Sequence, residues 1–145
     1  MAAADGGRLE HRLADEQRSF ARPLRALLSR PPVTCTAERS MAQVAALMQV
    51  EKVGSVVIVD AQVRPMGIVT SQDLVRAAAN AGLARPAADY MTPDPLSLPS
   101  HALAYEAAVL MTDRRIRHVL VSEEGRLSGV VSERDLFALQ RLGLG

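Results

Sequence analysis

The stretch GIVTSQD (Gly67–Asp73) has a near copy later in the chain, GVVSERD (Gly129–Asp135). Each copy combines a glycine, two β-branched apolar residues, a hydroxyl residue and, three positions after the hydroxyl, an aspartate. The β-branched residues favour a strand, and a hydroxyl followed three positions later by an acidic residue is typical of a helix N-terminus. Each heptad therefore predicts a strand that leads directly into a helix.

The similarity extends upstream of both heptads. With a shift of 63 positions, Pro31–Met48 aligns with Asp94–Met111, and Val53 aligns with Ile116. At the two heptads the shift is 62, so the first copy has one additional residue. We place it in the turn before the heptad, because surface turns accommodate insertions. The chain thus contains an internal repeat.

Each copy predicts the same order of elements, β-α-β-β-α, which gives an α/β (α+β) fold class. A short extended piece is followed by apolar residues at helical spacing, with Ser40 and Ser100 as candidate N-caps. The apolar runs Val56–Val59 and Val119–Val121 predict strands that are covered on both faces. The last helix of each copy is expected to end near a glycine, Gly82 or Gly143.

These patterns predict four segments along the chain. They are an N-terminal helical lead-in or linker (1–30), a first repeat (31–82), a proline-containing linker (83–94) and a second repeat (95–145). The ends of the sequence suggest a fragment of a longer protein.

Composition limits the classes of function. Hydrophobic residues make up 48% of the 145 residues but aromatic residues only 3%, which predicts an aliphatic core and argues against stacking platforms for single-stranded nucleic acid. The net charge of +1 does not favour binding to DNA or to a membrane surface. Cys35 is the only cysteine and is expected to pack as a small hydrophobe. No segment resembles a membrane span or a signal peptide, which predicts a cytoplasmic protein.

The heptads admit two interpretations. In the structural one, Thr70 and Ser132 cap their helices and the aspartates complement the positive helix ends. In the functional one, the hydroxyl and the amides of the helix N-terminus bind a phosphate, and the carboxylate accepts hydrogen bonds from ribose hydroxyls, as acidic residues do in dinucleotide folds. One heptad alone favours the structural interpretation.

The paired pattern resembles the CBS domain, named after cystathionine β-synthase, in the tandem arrangement called a Bateman module. The resemblance covers about Pro31 to Leu139 and includes both heptads and the spacings Met48 to Val53 and Met111 to Ile116. The later part is similar to bacterial signal-transduction proteins. The resemblance implies two repeats packed about a pseudo-twofold axis, with two clefts that take an adenosine-type ligand such as AMP, ADP or ATP. It implies no obligatory cofactor. It also implies that the module controls an effector domain, which the chain itself does not contain, so we expect that domain in a longer chain or in trans.

The resemblance also implies which residues line the clefts. The first cleft would be formed by Thr70, Asp73, Arg117 and His118. The second cleft would be formed by Ser132, Arg134, Asp135, Gly54 and Ser55. The backbone near Val33 and Leu96 would lie along the base, each serving the heptad of its own repeat.

The two clefts are expected to differ in charge. The Asp73 cleft would face RRIRH (Arg114–His118), whereas the Asp135 cleft would face KVGSV (Lys52–Val56). This difference predicts tighter binding of a polyphosphate at the Asp73 cleft. The alternative is that RRIRH is a solvated helix end whose cations complement the helix dipole.

The two heptads bear on three classes of function. A regulatory module that senses adenosine-type nucleotides accounts for both heptads. An enzyme is disfavoured because the sequence has no nucleophile elbow, Walker loop or metal-ligand spacing, and so we expect no metal site. The remaining alternative is a ligand-free scaffold that dimerises; a homodimer is expected in either case.

Overall fold

The computed structural model describes residues 20–144, with side chains through Leu139. Most of the predicted lead-in (1–30) and the last residue of the predicted second repeat lie outside the described residues. The helices are α1 (Met41–Glu51), α2 (Ser71–Ala79), α3 (Ala104–Arg114) and α4 (Glu133–Leu144). The strands are β1 (Thr34–Thr36), β2 (Ser55–Val59), β3 (Pro65–Thr70), β4 (Thr92–Pro93), β5 (Ser97–Pro99), β6 (His118–Glu123) and β7 (Arg126–Ser132). The predicted order β-α-β-β-α occurs twice, which confirms the mixed α and β fold class.

The chain divides into two compact units. The first unit is Pro31–Leu96, and the second unit joins the residues up to Arg30 to those from Ser97 onwards. In the first unit the sheet order is β1-β2-β3-β4, with β1 parallel to β2 and the other neighbours antiparallel. Its core is aliphatic, as the composition predicted: Met41, Val44, Met48, Val56, Ile58, Val69, Ala77 and Ala87.

The second unit has its own sheet and its own core. The sheet order is β5-β6-β7, again with a parallel pair followed by an antiparallel pair. Residues Glu124 and Gly125 join β6 to β7 with φ values of 51° and 77°, which is the conformation of a tight hairpin turn. In the first unit the corresponding loop is longer and runs from Asp60 to Arg64 between β2 and β3. The additional residue of the first copy therefore lies where the sequence placed it.

The first helices of the two repeats begin differently. Ser40 caps α1 as predicted: its Oγ accepts a hydrogen bond from the Gln43 amide (3.1 Å), and its own amide donates to Gln43 Oε1 (3.0 Å). The prediction for Ser100 is wrong, because α3 begins only at Ala104. At that end the Leu103 amide donates to Glu106 Oε2 (2.6 Å).

Ser100 is instead held in the backbone network of the second unit. Its amide donates to the carbonyl of Ser122 (2.7 Å), and its carbonyl accepts from the amide of Arg25 (3.0 Å). The residue is buried. Because its carbonyl accepts from Arg25, it does not accept the first hydrogen bond of a helix, as the carbonyl of an N-cap does.

Two segments outside the predicted repeats each pack into the core of one unit, and we call them straps. The first strap (residues 20–30) packs in the second unit: Leu24 is fully buried in that core, and its amide donates to the carbonyl of Ala102 (2.8 Å). The second strap (residues 83–93) packs in the first unit, where Ala87 is fully buried and its amide donates to the carbonyl of Arg39 (2.7 Å). The segment 83–94, predicted as a linker, thus contains a 3₁₀ turn and strand β4.

Candidate functional site

The first heptad forms the junction between β3 and α2. Thr70 is the last residue of β3, and both its amide (2.8 Å) and its hydroxyl (3.3 Å) donate hydrogen bonds to Oδ2 of Asp73. Asp73 lies in the first turn of α2 and is only 9% exposed. Its carboxylate therefore satisfies a backbone amide that the helix leaves without a partner.

The other oxygen of this carboxylate also has a partner. Arg76 Nη2 donates to Oδ1 of Asp73 (3.2 Å) and to the carbonyl of Tyr90 (2.8 Å). The Arg76 guanidinium lies 5.5 Å from the centre of the Tyr90 ring, within the range of a cation–π contact. Sequence reasoning missed Arg76, although an acid and a base three positions apart on a helix are a recognisable signal.

The second heptad forms the junction between β7 and α4. The amide (2.7 Å) and the hydroxyl (3.0 Å) of Ser132 donate to Oδ2 of Asp135, and the Asp135 amide donates to Ser132 Oγ (3.2 Å). This is a complete capping box. Asp135 is half-buried, and its Oδ1 accepts no hydrogen bond from any described residue. One carboxylate oxygen at this helix N-terminus can therefore accept a hydrogen bond from a ligand.

The heptads thus have the structural role that one of the two interpretations assigned to them. This role does not use the full capacity of either carboxylate, because each carboxylate oxygen has two lone pairs. The ligand-binding interpretation consequently stays a prediction for both Asp73 and Asp135.

The residues at the start of the second strand of each repeat lie next to the heptad of the same unit. Ser55 pairs with Thr70 in the β2–β3 register, and His118 pairs with Ser132 in the β6–β7 register. The predicted combination of each heptad with residues of the opposite repeat stays a prediction.

Arg117 is also held beside the heptad of its own unit. Its carbonyl accepts from the amide of Glu133 (2.8 Å), and its Nε lies 3.8 Å from Glu133 Oε2. Both side chains are largely exposed. This weak surface pair leaves Arg117 free to reorient towards an anion.

The other predicted site residues lie at the edges of the elements. Gly54 is exposed, and a Cβ placed on it would meet no atom within 4 Å. Arg134 is exposed in the first turn of α4. Val33 is half-buried before β1 and its carbonyl accepts from Val57 (2.9 Å), while Leu96 is half-buried directly before β5.

The glycine of each heptad lies under a strap. A Cβ on Gly67 would come within 2.5 Å of Met91 Sδ and 3.0 Å of the Thr92 carbonyl, and one on Gly129 would come within 2.6 Å of Leu28 Cδ2. Both glycines therefore permit a close approach of the strap to the strand that leads into the heptad.

Residues 20–144 contain neither a metal-ligand cluster nor a helix that could span a membrane. No three or more His, Cys, Asp or Glu side chains in this range are grouped so that they could hold a metal ion. None of the helices in the range combines the length and the apolar character needed to cross a membrane.

The sequence matches the family model of the CBS domain twice, at residues 24–80 and 87–141. Among curated proteins it is 35% identical over 98 residues to an uncharacterized 17.7 kDa protein of Acidianus ambivalens, which covers 67% of this chain and 60% of that protein. A Methanopyrus kandleri protein, also uncharacterized, is 30% identical over 118 residues, which are 77% of this chain and 59% of its own length. This chain thus spans about 60% of the length of these relatives.

Solved structures with the same fold include a CBS-domain containing protein from Agrobacterium tumefaciens. It is 31% identical with a TM-score of 0.76, and the match covers 83% of this chain and 95% of that one. Another is a CBS domain protein from Pyrobaculum aerophilum complexed with AMP. It is 30% identical with a TM-score of 0.75, and the match covers 85% of this chain and 98% of that one.

Proposed function

This chain belongs to the CBS domain family, and on that premise we propose that it is a regulatory, non-catalytic module that binds adenosine-type nucleotides such as AMP, ADP or ATP. Binding of AMP by the Pyrobaculum aerophilum relative supports this ligand class. In the proposal the aspartate of a heptad binds the ribose, and the hydroxyl residue before it lies near the phosphates.

The geometry of Asp135 carries the proposal. Its Oδ2 accepts hydrogen bonds from the Ser132 amide and hydroxyl, which fixes the carboxylate. Its Oδ1 can then accept a ribose hydroxyl. The same capping box orients Ser132 at the positive end of α4, where a phosphate is favoured.

The proposal is tested by titrating AMP, ADP and ATP into the chain by calorimetry and comparing wild type with Asp135→Ala. We expect micromolar-range binding for wild type and at least a roughly tenfold loss for the variant, the equivalent of one charge-assisted hydrogen bond or about 1.4 kcal/mol. Ser40→Ala is the matched control, because it removes an equivalent cap at α1 outside the heptads. No binding by wild type, or equal losses in both variants, would contradict the proposal.

Phosphate recognition is assigned to Arg117 and His118. The surface pair between Arg117 and Glu133 (3.8 Å) is weak enough for a polyphosphate to compete with it. Arg117→Ala is therefore expected to lower the affinity for ATP more than the affinity for adenosine. Equal affinities of wild type and variant for ATP would remove Arg117 from the site.

Dimerisation without a ligand is the second candidate function. Tyr105 (62% exposed) and Val109 (39%) lie one turn apart on α3, and Phe137 (54%) is exposed on α4 of the same unit. A homodimer through these apolar side chains would explain their exposure. Sedimentation of wild type against Tyr105→Glu tests it: we expect a dimer that the variant converts to a monomer, and a monomeric wild type would exclude it.

We further propose that the module works in the cytoplasm. Ligand binding would change the state of an effector domain, in the same chain or in trans. A ligand can shift such an equilibrium only by its differential affinity for the two states, typically about 1–3 kcal/mol. Hydrogen exchange of the first strap and of α4, with and without saturating AMP, would reveal the transmission; identical protection would contradict it.

A further inference from the structure

The two heptads differ at one position that bears directly on their aspartates. Three residues after Asp73 the chain has Arg76, whereas three residues after Asp135 it has Ala138. Both positions lie one helical turn from the aspartate, on the face that the carboxylate occupies. Among the side chains that the structure describes, only the first aspartate therefore has a basic residue one turn further along its own helix.

Arg76 is held in place by more than this ion pair. Its guanidinium donates to the Tyr90 carbonyl (2.8 Å) and lies over the Tyr90 ring. The Tyr90 hydroxyl lies against the buried Gly82, where any side chain would clash with it. The second strap thus positions the arginine against Asp73.

We propose that Arg76 is a latch that competes with ribose hydroxyls for Asp73, so that Asp135 binds the ribose of a nucleotide first and Asp73 second. The inference rests on the proposed function and sets an order of occupancy for its two carboxylates. This order is the reverse of the one predicted from the charge of Arg114–His118, because that prediction considered the phosphates alone.

The ion pair between Arg76 and Asp73 competes with a ligand but does not block the carboxylate permanently. The Arg76 side chain is 55% exposed and that of Asp73 is 12% exposed. An arginine this exposed forms a screened pair that a ligand can displace at modest cost. We therefore expect the latch to weaken ribose binding at Asp73 roughly fivefold, which corresponds to about 1 kcal/mol.

The test compares AMP with 2′,3′-dideoxy-AMP, which lacks both ribose hydroxyls, by calorimetry. Arg76→Ala is expected to strengthen the weaker AMP binding event about fivefold, or to reveal a second event where wild type shows one. The affinity for the dideoxy compound is expected to stay unchanged. The reciprocal variant, Ala138→Arg, introduces the same spacing in the second heptad and is expected to weaken the tighter AMP event.

Arg76→Lys provides a second test in case Arg76→Ala does not fold. Lysine keeps the charge but lacks the planar fork that serves Asp73 and the Tyr90 carbonyl together, so it should shift AMP affinity in the same direction. Unchanged AMP affinity in both Arg76 variants, or equal changes for AMP and the dideoxy compound, would overturn the latch alone. Absence of AMP binding in wild type and in every variant would overturn the proposed function with it.

Discussion

Leu28 of the first strap lies directly over Gly129, the first residue of the second heptad, so that a methyl group on the glycine would come within 2.6 Å of Leu28 Cδ2 and 3.2 Å of its Cγ. The strap therefore contacts the strand that positions Ser132 and Asp135. Tight contacts of this kind respond to a single added carbon, because protein interiors are close-packed.

Gly129→Ala is expected to lower the free energy of unfolding by about 1–2 kcal/mol, since the leucine has to move as a whole. Urea denaturation measures the loss. Leu28→Ala in the same chain should relieve most of it, as expected for two residues in contact. Gly54→Ala serves as the control, because a Cβ there meets no atom within 4 Å. An equal loss in the presence and absence of Leu28 would show that the contact is not the cause.

Leu24→Ala is expected to destabilise the protein by about 2–5 kcal/mol, the usual range for emptying a leucine site in a core. Leu24 is fully buried among residues of the second unit. Arg25→Ala, at the exposed neighbouring position, is the matched control and should have little effect. Thermal unfolding compares the two, and similar melting temperatures for both variants would contradict the packing role of the first strap.

Cys35 is expected to react slowly with thiol reagents in the folded chain. Its side chain packs beside the core of the first unit, and burial raises the pKa of its thiol. Because the folded pKa lies above the unfolded one, the neutral thiol contributes stability that is lost as pH rises through the folded pKa. The rate of alkylation should therefore begin to rise at a higher pH in the native chain than in the chain unfolded in urea. Coincident profiles would contradict this expectation.

Asp60 is expected to make the free energy of unfolding decrease at acidic pH. Backbone hydrogen bonds from Arg64 and Gln62 (both 2.9 Å) and the Arg64 side chain lower the pKa of this carboxyl, the Arg64 amide most strongly. A lowered folded pKa contributes stability above the unfolded pKa of about 3.9, and this is lost as pH falls through the folded value.

Asp60→Ala should thus be less stable than wild type at pH 7, and the difference should shrink below about pH 4. Arg64→Ala is the informative comparison, because it keeps the backbone amide that has the largest effect. It should retain most of the pH dependence of wild type. A constant difference between Asp60→Ala and wild type from pH 7 to pH 3 would rule out this role.

The order of elements could be predicted because it depends on local signals that occur twice. The β-branched runs became β2 and β6, and both heptads became strand–helix junctions. Ser100 was misplaced because the carbonyl of an N-cap accepts the first hydrogen bond of its own helix, whereas the Ser100 carbonyl accepts from the amide of Arg25. The shift of 63 already aligned Ser40 with Leu103, which is the N-cap that the structure shows.

The straps could not be predicted from local patterns, and of the latch only the spacing of Asp73 and Arg76 could. Leu24 and Ala87 owe their burial to contacts with residues distant in the chain, and no periodicity reports such contacts. Arg76 is engaged by Tyr90, fourteen positions away, through a backbone carbonyl that no side-chain pattern reveals. Sequence reasoning could identify the aspartates as candidates, but the Tyr90 contacts that hold Arg76 beside Asp73 emerge only in the folded chain.

The first strap belongs to the unit whose remaining residues begin at Ser97, and this has a consequence for synthesis on the ribosome. Leu24 emerges long before Val131 and Leu136, the core residues beside which it packs. At about 5–20 residues per second, Leu24 therefore waits several seconds for the residues that cover it. Until α4 has been made, we expect this leucine to be accessible to chaperones and proteases.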